Sequence, residues 1–273
     1  MTAAPPARTP RSPFARYRHS LWLLTQRDLR VRYTTSVLGY LWSILDPLMM
    51  SAIYWFVFTV VVKRDVGEDP YIVFLLCGLL PWMWFSGSIN DSTRAFLKDA
   101  KLVRSTKLPR SVWVLRVAAS KGIEFLLSIP VLAAFAIAFG VLDPETGLTL
   151  HWTALLWIPA IILQAVLIVG LGLIVAPVVV FFRDLERAVK LVMRFMFYAT
   201  PIVYSFALLP QSLHLLASFN PLAGIFSLYR SAFFPQELDW LTVGIGAAMS
   251  FAILGIGVLV FRKSERAVLK ELL

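Results

Sequence analysis

The chain has 273 residues, of which 59% are apolar and 15% are charged, and its formal net charge is +10. Soluble domains are about 45–50% apolar and about 25% charged, so this composition excludes an ordinary soluble domain, a disordered chain and, despite the positive charge, a nucleic-acid-binding protein. A single cysteine, Cys77, excludes an intrachain disulfide and a cysteine zinc site, and three scattered histidines leave little material for a metal centre. The composition indicates an all-α integral membrane protein.

The N-terminal residues divide into two parts. Residues 1–13 are predicted to be a disordered leader. In residues 14–32 apolar side chains recur at helical spacing with arginines between them, which predicts a basic amphipathic helix on the inner leaflet. A poorly packed cytoplasmic tail is the alternative.

Residues 33–273 are predicted to form a six-helix transmembrane domain. A spanning helix needs roughly 20 mostly apolar residues. The predicted spans are Val37–Val62, Tyr71–Asn90, Phe125–Leu142, Trp152–Phe182, Phe195 to near Leu209, and Trp240–Phe261. In the fourth of them Gly170 and Gly172 allow close helix approach, which we interpret as internal packing rather than a dimer seam.

The apolar stretch from Phe195 to Tyr229 is too long for one span and too interrupted for two. Pro210 and the Asn220–Pro221 pair leave two apolar pieces of about a dozen residues, which are too short to cross. They predict a re-entrant helix pair over residues 210–235, before the last span.

Orientation follows from the basic residues. With the N-terminus in the cytoplasm, 23 of the 26 Lys and Arg residues lie on the inner side, and the outer side holds only Lys63, Arg64 and Arg230. This bias predicts that both termini are cytoplasmic.

Candidate chemistry is sparse. The sequence contains no P-loop and no metalloprotease or serine-hydrolase motif. Asp184 and Glu186 could form an acidic metal pair, but a helix start and an ion pair of Glu186 with Lys190 explain them better. Asp46 is the only acid deep in a predicted span, which is weak support for an ion relay. Lys121 and Glu124 are expected to pair with each other.

Several blocks, in order, resemble one family. They are Arg27-Asp28-Leu29-Arg30-Val31-Arg32-Tyr33, Ser36 to Trp42 with Pro47, Gly78-Leu79-Leu80-Pro81-Trp82, Leu102 to Arg110, Phe182-Arg183-Asp184-Leu185, Thr200 to Tyr204, Asn220-Pro221 and Tyr229-Arg230. The set resembles the membrane subunits of ATP-binding-cassette polysaccharide exporters, which include the O-antigen and wall teichoic acid permeases and the actinobacterial galactan exporter. It covers roughly residues 14 to 265, with Leu108 where the family usually has a bulky aromatic residue.

The segment 91–110 mixes apolar and basic residues, which predicts a short amphipathic helix on the cytoplasmic face; a solvated basic loop is the alternative. The resemblance implies that this segment is a coupling helix docking on a separate ATPase chain, with the turn at Arg183 to Arg187 as a secondary contact. The implied coupling residues are Phe96, Lys98, Asp99, Leu102, Val103, Arg104, Lys107, Pro109, Arg110, Arg183, Asp184 and Arg187.

Aromatic side chains pack against the C–H faces of sugars, so a glycan path should contain them, although Trp and Tyr also collect at membrane interfaces. The candidates are Tyr33, Tyr40, Trp42, Tyr54, Trp82, Trp84, Phe85, Tyr198 and Tyr204. The re-entrant candidates are Asn220, Pro221, Tyr229 and Arg230. Arg230 could contact a substrate phosphate or cap a helix end.

The resemblance implies the transmembrane half of an exporter that moves a lipid-linked polysaccharide across the bacterial plasma membrane. The partners would be a second copy of the chain, two copies of a P-loop ATPase that uses ATP and Mg²⁺, and membrane lipids, with no cofactor or nucleic acid bound by this chain. A membrane-embedded glycosyltransferase, an ion-coupled transporter centred on Asp46 and an ATP-driven drug or small-lipid exporter are the alternatives.

Overall fold

The computed structural model is built from helices and turns. It describes residues 12–34, 38–62, 67–106, 108–142 and 147–271, and no β-strand occurs within these ranges, which confirms the all-α prediction. The predicted disordered leader, residues 1–13, lies outside the described residues except for its last two. Of these, Pro13 already belongs to the first helix.

Ten α-helices follow one another in the described ranges. They are α1 (Pro13–Thr34), α2 (Trp42–Trp55), α3 (Tyr71–Ser92), α4 (Ala100–Ser105), α5 (Ser111–Leu142), α6 (Trp157–Phe181), α7 (Leu185–Ala199), α8 (Gln211–Ser218), α9 (Pro221–Arg230) and α10 (Trp240–Glu271). Helix α2 continues directly into a π-helical segment, Phe56–Val62.

Five helical stretches of the described chain are long and apolar enough to cross a membrane: Ile44–Val61, Tyr71–Ser92, Ser111–Val141, Trp152–Phe181 and Trp240–Glu271. They overlap five of the predicted spans, although the third begins at Ser111 and not at Phe125, and the last continues beyond Phe261 to Glu271. Helices α5 and α10 have 32 residues each, or about 48 Å at 1.5 Å per residue. They are therefore much longer than the hydrocarbon core, which is about 30 Å thick.

The predicted fifth span has different boundaries in the structure. The sequence predicts a span from Phe195 to near Leu209, whereas α7 covers Leu185–Ala199. Pro201 lacks an amide hydrogen and disfavours helical backbone at the residue before it, and Thr200 is accordingly extended with ψ 138°. The predicted boundaries are therefore wrong, and the chain continues to Leu209 through turns.

Helix α7 and the turn after it run beside the whole of α3. At one end, the Glu186 carboxylate accepts a hydrogen bond from Arg94, two residues beyond α3. At the other end, the Val203 carbonyl accepts one from the hydroxyl of Tyr71, the first residue of α3, at 2.8 Å. The 22 residues of α3 rise about 33 Å, so the segment from α7 to Val203 covers about the thickness of a hydrocarbon core.

Helix α3 lies at the centre of the bundle. Of its most apolar stretch 78% is buried, against at most 39% for the other four candidate spans. It packs against α2, α5, α6, α7 and α9. Any movement applied to α3 is therefore transmitted to most of the bundle.

Helices α6 and α10 are in backbone contact at glycines. A Cβ atom added at Gly170 would lie 2.7 Å from the backbone nitrogen of Leu254, and one added at Gly257 would overlap the carbonyl of Gly170. A Cβ atom at Gly172 would meet the Val114 side chain of α5 at 2.7 Å. The interpretation of Gly170 and Gly172 as internal packing is confirmed.

Replacing Gly257 with alanine should lower the free energy of unfolding by about 1–3 kcal/mol, because the added methyl group forces α6 and α10 apart. Gly255→Ala is the matched control, since a Cβ atom there meets nothing within 4 Å and the change should be neutral or slightly stabilising. Thermal unfolding of the two purified variants measures the difference. Equal midpoints for the two variants would contradict the packing argument.

Candidate functional site

The segment between α3 and α5 forms a compact cap on one end of the bundle. After Ser92 the chain makes successive turns, forms the six-residue α4 and reaches α5 at Ser111. Phe96 and Val103 are 1% and 0% exposed, and they pack with Trp113 of α5 and with Phe261 and Val268 of α10. The apolar side of this segment is thus anchored to the first turn of α5 and to the last turns of α10.

A buried arginine of α5 lies at the centre of this cap. The side chain of Arg116 is 2% exposed. Its guanidinium contacts the carboxylate of Asp28 on α1 at 3.1 Å and that of Asp99, just before α4, at 2.6 Å. It also lies 4.8 Å from the ring centre of Trp113 and donates to the carbonyl of Ala95. One side chain therefore joins α1, α5 and the segment between α3 and α5.

Arg27 closes this cluster into a charge-neutral set of two arginines and two aspartates. Its guanidinium lies 2.7 Å from Asp99 and 3.1 Å from Asp28. Burial alone would raise the pKa of the Asp99 carboxyl, but hydrogen bonds and positive charge from Arg27 and Arg116 outweigh burial and hold this pKa below its usual value. The ionised Asp99 carboxylate therefore stabilises the fold fully at pH values above the ordinary carboxyl pKa. This stabilisation is lost as the pH falls through the lowered pKa of the folded state.

A second ion-pair cluster lies at the end of α1. Arg32 donates to Glu124 of α5 at 2.7 Å and to Asp91 of α3 at 2.8 Å. Lys121 pairs with Glu124 at 2.9 Å, which confirms the pairing expected from the sequence, and approaches Asp91 at 4.0 Å. The Tyr17 hydroxyl and the Ser111 hydroxyl are 3.1 Å apart. Helix α1 is thus attached along its length to α3 and α5.

A third contact joins the same cap to α7. The Glu186 carboxylate accepts hydrogen bonds from Arg94 and, at 2.7 Å, from Lys190. The predicted Glu186–Lys190 ion pair is therefore confirmed. Within the described ranges no group of three or more His, Cys, Asp or Glu side chains is placed to hold a metal ion.

The predicted coupling residues fall into two groups. Phe96, Val103 and Asp99 face inward, and Leu102 and Arg110 are partly buried. The exposed members are Lys98, Arg104, Pro109, Arg183, Asp184 and Arg187. Lys107 lies outside the described residues. The inward group fixes the segment to the bundle and the outward group leaves a basic surface in contact with water.

Three of the predicted glycan-path residues meet around one ring, that of Phe197 on α7, and a fourth, Phe85, contacts one of them. Its centroid lies 5.6 Å from those of Tyr54 and Trp82 and 5.1 Å from that of Tyr198, and Phe85 in turn lies 5.7 Å from Trp82. The Tyr204 hydroxyl reaches this group by donating to the Tyr198 carbonyl at 3.0 Å.

Trp84 and Trp42 lie apart from the Phe197 group. Trp84 stacks on Phe125 at 5.2 Å and donates to the Ala118 carbonyl. Trp42 is 46% exposed at the start of α2. The side chains of Tyr33 and Tyr40 are outside the described part of the structure.

The opposite end of the bundle contains the two short helices α8 and α9. They have 8 and 10 residues, or about 12 and 15 Å, at most half of a hydrocarbon core. Pro221 is the first residue of α9, and the Asn220 side chain caps that helix by accepting from the Leu222 amide while donating to Thr200. The ring of Tyr229 is buried against Phe125 and Trp157.

Arg230 ends α9, and both terminal nitrogens of its guanidinium have partners, whereas its buried Nε has none. Its side chain is 2% exposed and pairs at 3.2 Å with Glu237, which also accepts a hydrogen bond from Ser205. It donates to the carbonyls of Ile202 at 2.7 Å and Tyr204 at 3.3 Å, and it lies 3.8 Å from the Phe74 ring centre. Arg230 therefore ties α9 to the turn that follows α7.

The sequence identifies Arg230 and Asp99 as candidate site residues, but it gives no indication of their partners or of the part played by Arg116. Arg116 and Asp28 are 88 positions apart, and Arg230 and Ile202 are 28 apart, so local periodicity does not pair them. One indication was present in the sequence: Arg116 is a lone arginine in the apolar run Val112 to Ala118. A charge buried in such a run requires a partner of opposite charge.

Through these contacts the charged side chains of the cap link it to α1, α5 and α7. The model of the ABC-2 type transporter family matches residues 19–234. The chain belongs to the ABC-2 type transporter family. It is the membrane subunit of such a transporter.

Several curated proteins are similar to this transporter subunit along most of its length. The O-antigen export system permease protein RfbA of Klebsiella pneumoniae is 36% identical over 245 residues, which cover 89% of this chain and 91% of that protein. RfbA of Myxococcus xanthus is 30% identical over 224 residues, covering 81% and 83%. The polysialic acid transport protein KpsM of Escherichia coli is 25% identical over 261 residues, covering 95% and 98%.

Proposed function

We propose that this chain is the transmembrane half of an ATP-driven exporter that moves a lipid-linked polysaccharide from the cytoplasmic to the outer side of the plasma membrane. Support for the substrate class comes from relatives named for O-antigen export and polysialic acid transport, which align over most of the chain. An O-antigen-like glycan, a teichoic acid or a cell-wall galactan would each fit this class.

The proposal rests on the cap between α3 and α5, whose inner and outer sides differ. Its inner side is fixed to α1, α5 and α7 by ion pairs of Arg27, Arg116 and Arg94. Its outer side presents exposed basic residues, among them Lys98 and Arg104. Such a part is suited to receive force from a protein outside the membrane and to pass it to several helices at once.

The ATPase in this proposal is a separate P-loop protein, since the sequence has no P-loop of its own. ATP and Mg²⁺ would be used by that partner. The working assembly would contain two copies of this chain and two of the ATPase, with the exposed residues of the cap as the contact surface. This chain would bind no cofactor and no nucleic acid.

We infer six crossings for this subunit, with both termini in the cytoplasm. The fifth crossing in chain order consists of α7 and the turn to Val203, which contact both ends of α3. In this arrangement α1 lies on the inner leaflet, and α8 and α9 form a re-entrant pair at the outer end. The excess of basic residues at the end that carries the cap supports this orientation.

The ring group around Phe197 is the best candidate for a glycan path. It joins α2, α3 and α7 through Tyr54, Trp82 and Tyr198. Tyr198 is 67% exposed, so at least one ring is available to a ligand or to a second copy of the chain. Flat rings with hydroxyl edges suit a sugar chain that must slide rather than bind tightly.

The proposal is tested by co-expression with the P-loop ATPase encoded beside the gene. We expect a complex of two permease and two ATPase chains whose loss abolishes surface glycan, which lectin labelling of intact cells would detect. Failure to form a complex, or normal surface glycan in a deletion strain, would overturn the proposed function.

Reversing two charges on the exposed side of the cap should separate coupling from folding. In the variant Lys98→Glu with Arg104→Glu we expect at least about tenfold weaker association with the ATPase, because like charges would face each other across the contact. Both side chains are exposed, so the free energy of unfolding should change by no more than about 0.5 kcal/mol. Arg266→Glu with Lys270→Glu, on exposed positions of α10, is the charge-matched control. Equal association of the two double variants would contradict the assignment.

A further inference from the structure

A cavity of about 300 Å³ opens beside the second ion-pair cluster, a volume of roughly ten water molecules. Arg32 of α1, the first turns of α2, the second half of α3 and the middle of α5 enclose it. Four of the lining side chains are charged, those of Arg32, Lys121, Asp46 and Glu124. The apolar lining is formed by Pro47, Leu80, Met83, Trp84 and Phe125. A ligand that fills it must be both polar and apolar.

The charges around the cavity do not cancel. Arg32 and Lys121 are engaged with Asp91 and Glu124. Asp46 is a third carboxylate, and no ion pair links it to another residue of the described ranges. The carboxylate of Asp46 therefore lines the cavity without a paired cation in the described ranges, and its side chain is exposed. A cationic group is the natural complement of that charge.

An indole ring accompanies this carboxylate. Trp42 lies four residues before Asp46 on α2, so the two side chains share one face of the helix, and Trp42 is 46% exposed. A carboxylate beside an accessible indole face is a favourable site for an ammonium group, through an ion pair and a cation–π contact.

The cavity can also hold an anionic group close to the bound ammonium group, at Lys121. The Lys121 ammonium has three donors, of which Glu124 and Asp91 take at most two. A phosphate beside Lys121 and an ammonium beside Asp46 together match a zwitterionic headgroup, and the apolar lining would contact the start of its chains. A simple anion fits poorly because it brings no positive charge to offset that of the Asp46 carboxylate.

We propose that this cavity binds the phosphoethanolamine headgroup of a membrane phospholipid, with its ammonium on Asp46 and Trp42 and its phosphate beside Lys121. The site lies between α1, α2, α3 and α5, so a bound headgroup would hold these four helices together where the cap meets the bundle. The assignment to the inner leaflet rests on the proposed function and its topology. The headgroup chemistry does not depend on what the transporter carries.

The test is native mass spectrometry of the full chain released from nanodiscs of equal parts phosphatidylethanolamine, phosphatidylcholine and phosphatidylglycerol with identical acyl chains. We expect phosphatidylethanolamine to be retained at least about tenfold over phosphatidylcholine, whose choline has no N–H donor for the carboxylate. Asp46→Asn and Trp42→Ala should each remove that preference, and Asp46→Glu should keep it. Trp152→Ala and Glu271→Gln, both on exposed positions, should leave it unchanged.

Three results would overturn the site. They are equal retention of phosphatidylcholine, preferential retention of phosphatidylglycerol, and an unchanged preference in Asp46→Asn whose thermal midpoint equals that of the wild type. Binding of water-soluble phosphoethanolamine as tight as that of the lipid would overturn the lipid assignment. None of these measurements depends on glycan export, so an exporter without the lipid preference would refute this site alone.

Discussion

Replacing Arg116 with methionine is expected to lower the free energy of unfolding by about 3–5 kcal/mol, because removal of one member of a buried ion pair leaves its partners uncompensated. The Arg116 side chain is 2% exposed and those of Asp28 and Asp99 are 16% exposed. Arg27 would remain as their only cation within the described cluster. Thermal unfolding of the purified protein measures the loss.

The Arg116 variant should also release α1. Arg30 is exposed on that helix, and we expect faster cleavage of α1 by trypsin once its attachment to α5 weakens. Adding Asp28→Asn and Asp99→Asn to Arg116→Met removes the uncompensated charges and should restore most of the stability. A single variant within about 0.5 kcal/mol of the wild type would contradict the role of Arg116.

Replacing Arg230 with methionine should have an effect of similar size at the other end of the bundle, also about 3–5 kcal/mol. The Glu237 side chain is 5% exposed and would lose its cation. The carbonyls of Ile202 and Tyr204 would lose a donor at the same time. Hydrogen exchange should rise in α8, α9 and the turn after α7, and remain unchanged in α1 and α4.

Two further variants separate charge from geometry at Arg230. Arg230→Met with Glu237→Gln should recover part of the stability because no buried charge is left alone. Arg230→Lys keeps the charge but cannot reach two carbonyls and a carboxylate from one planar group, so we expect an intermediate loss. Arg116 and Arg230 lie at opposite ends of the bundle, and their effects should add within about 0.3–0.5 kcal/mol. A strongly non-additive double variant would show that the two ends are not independent.

The membrane spans were predictable because long apolar runs have few alternatives to crossing a bilayer. The error near Phe195 has a local cause. Hydropathy continues unbroken past Ala199, while Pro201 ends the helix without adding a polar residue. Composition identified the apolar stretch there but could not determine where its helix stops.

The coupling segment illustrates a different limit. Phe96 and Val103 belong to an amphipathic pattern, which indicates that one face is buried without telling whether a partner protein or the chain itself covers it. Here Trp113 and Phe261 cover it. Asp99 looked like a surface charge because Arg27 and Arg116 are 72 and 17 positions away. Contacts at such separations depend on the fold and leave no periodic trace in the sequence.

The excess length of α5 and α10 has a mechanical consequence. Of the roughly 48 Å of each helix, about 18 Å exceeds the hydrocarbon core. The ends that carry Arg116 and Val268 therefore extend beyond the hydrocarbon core, where the cap covers them. In the proposed exporter, a soluble motor that pushes on the cap would move both long helices without itself entering the lipid.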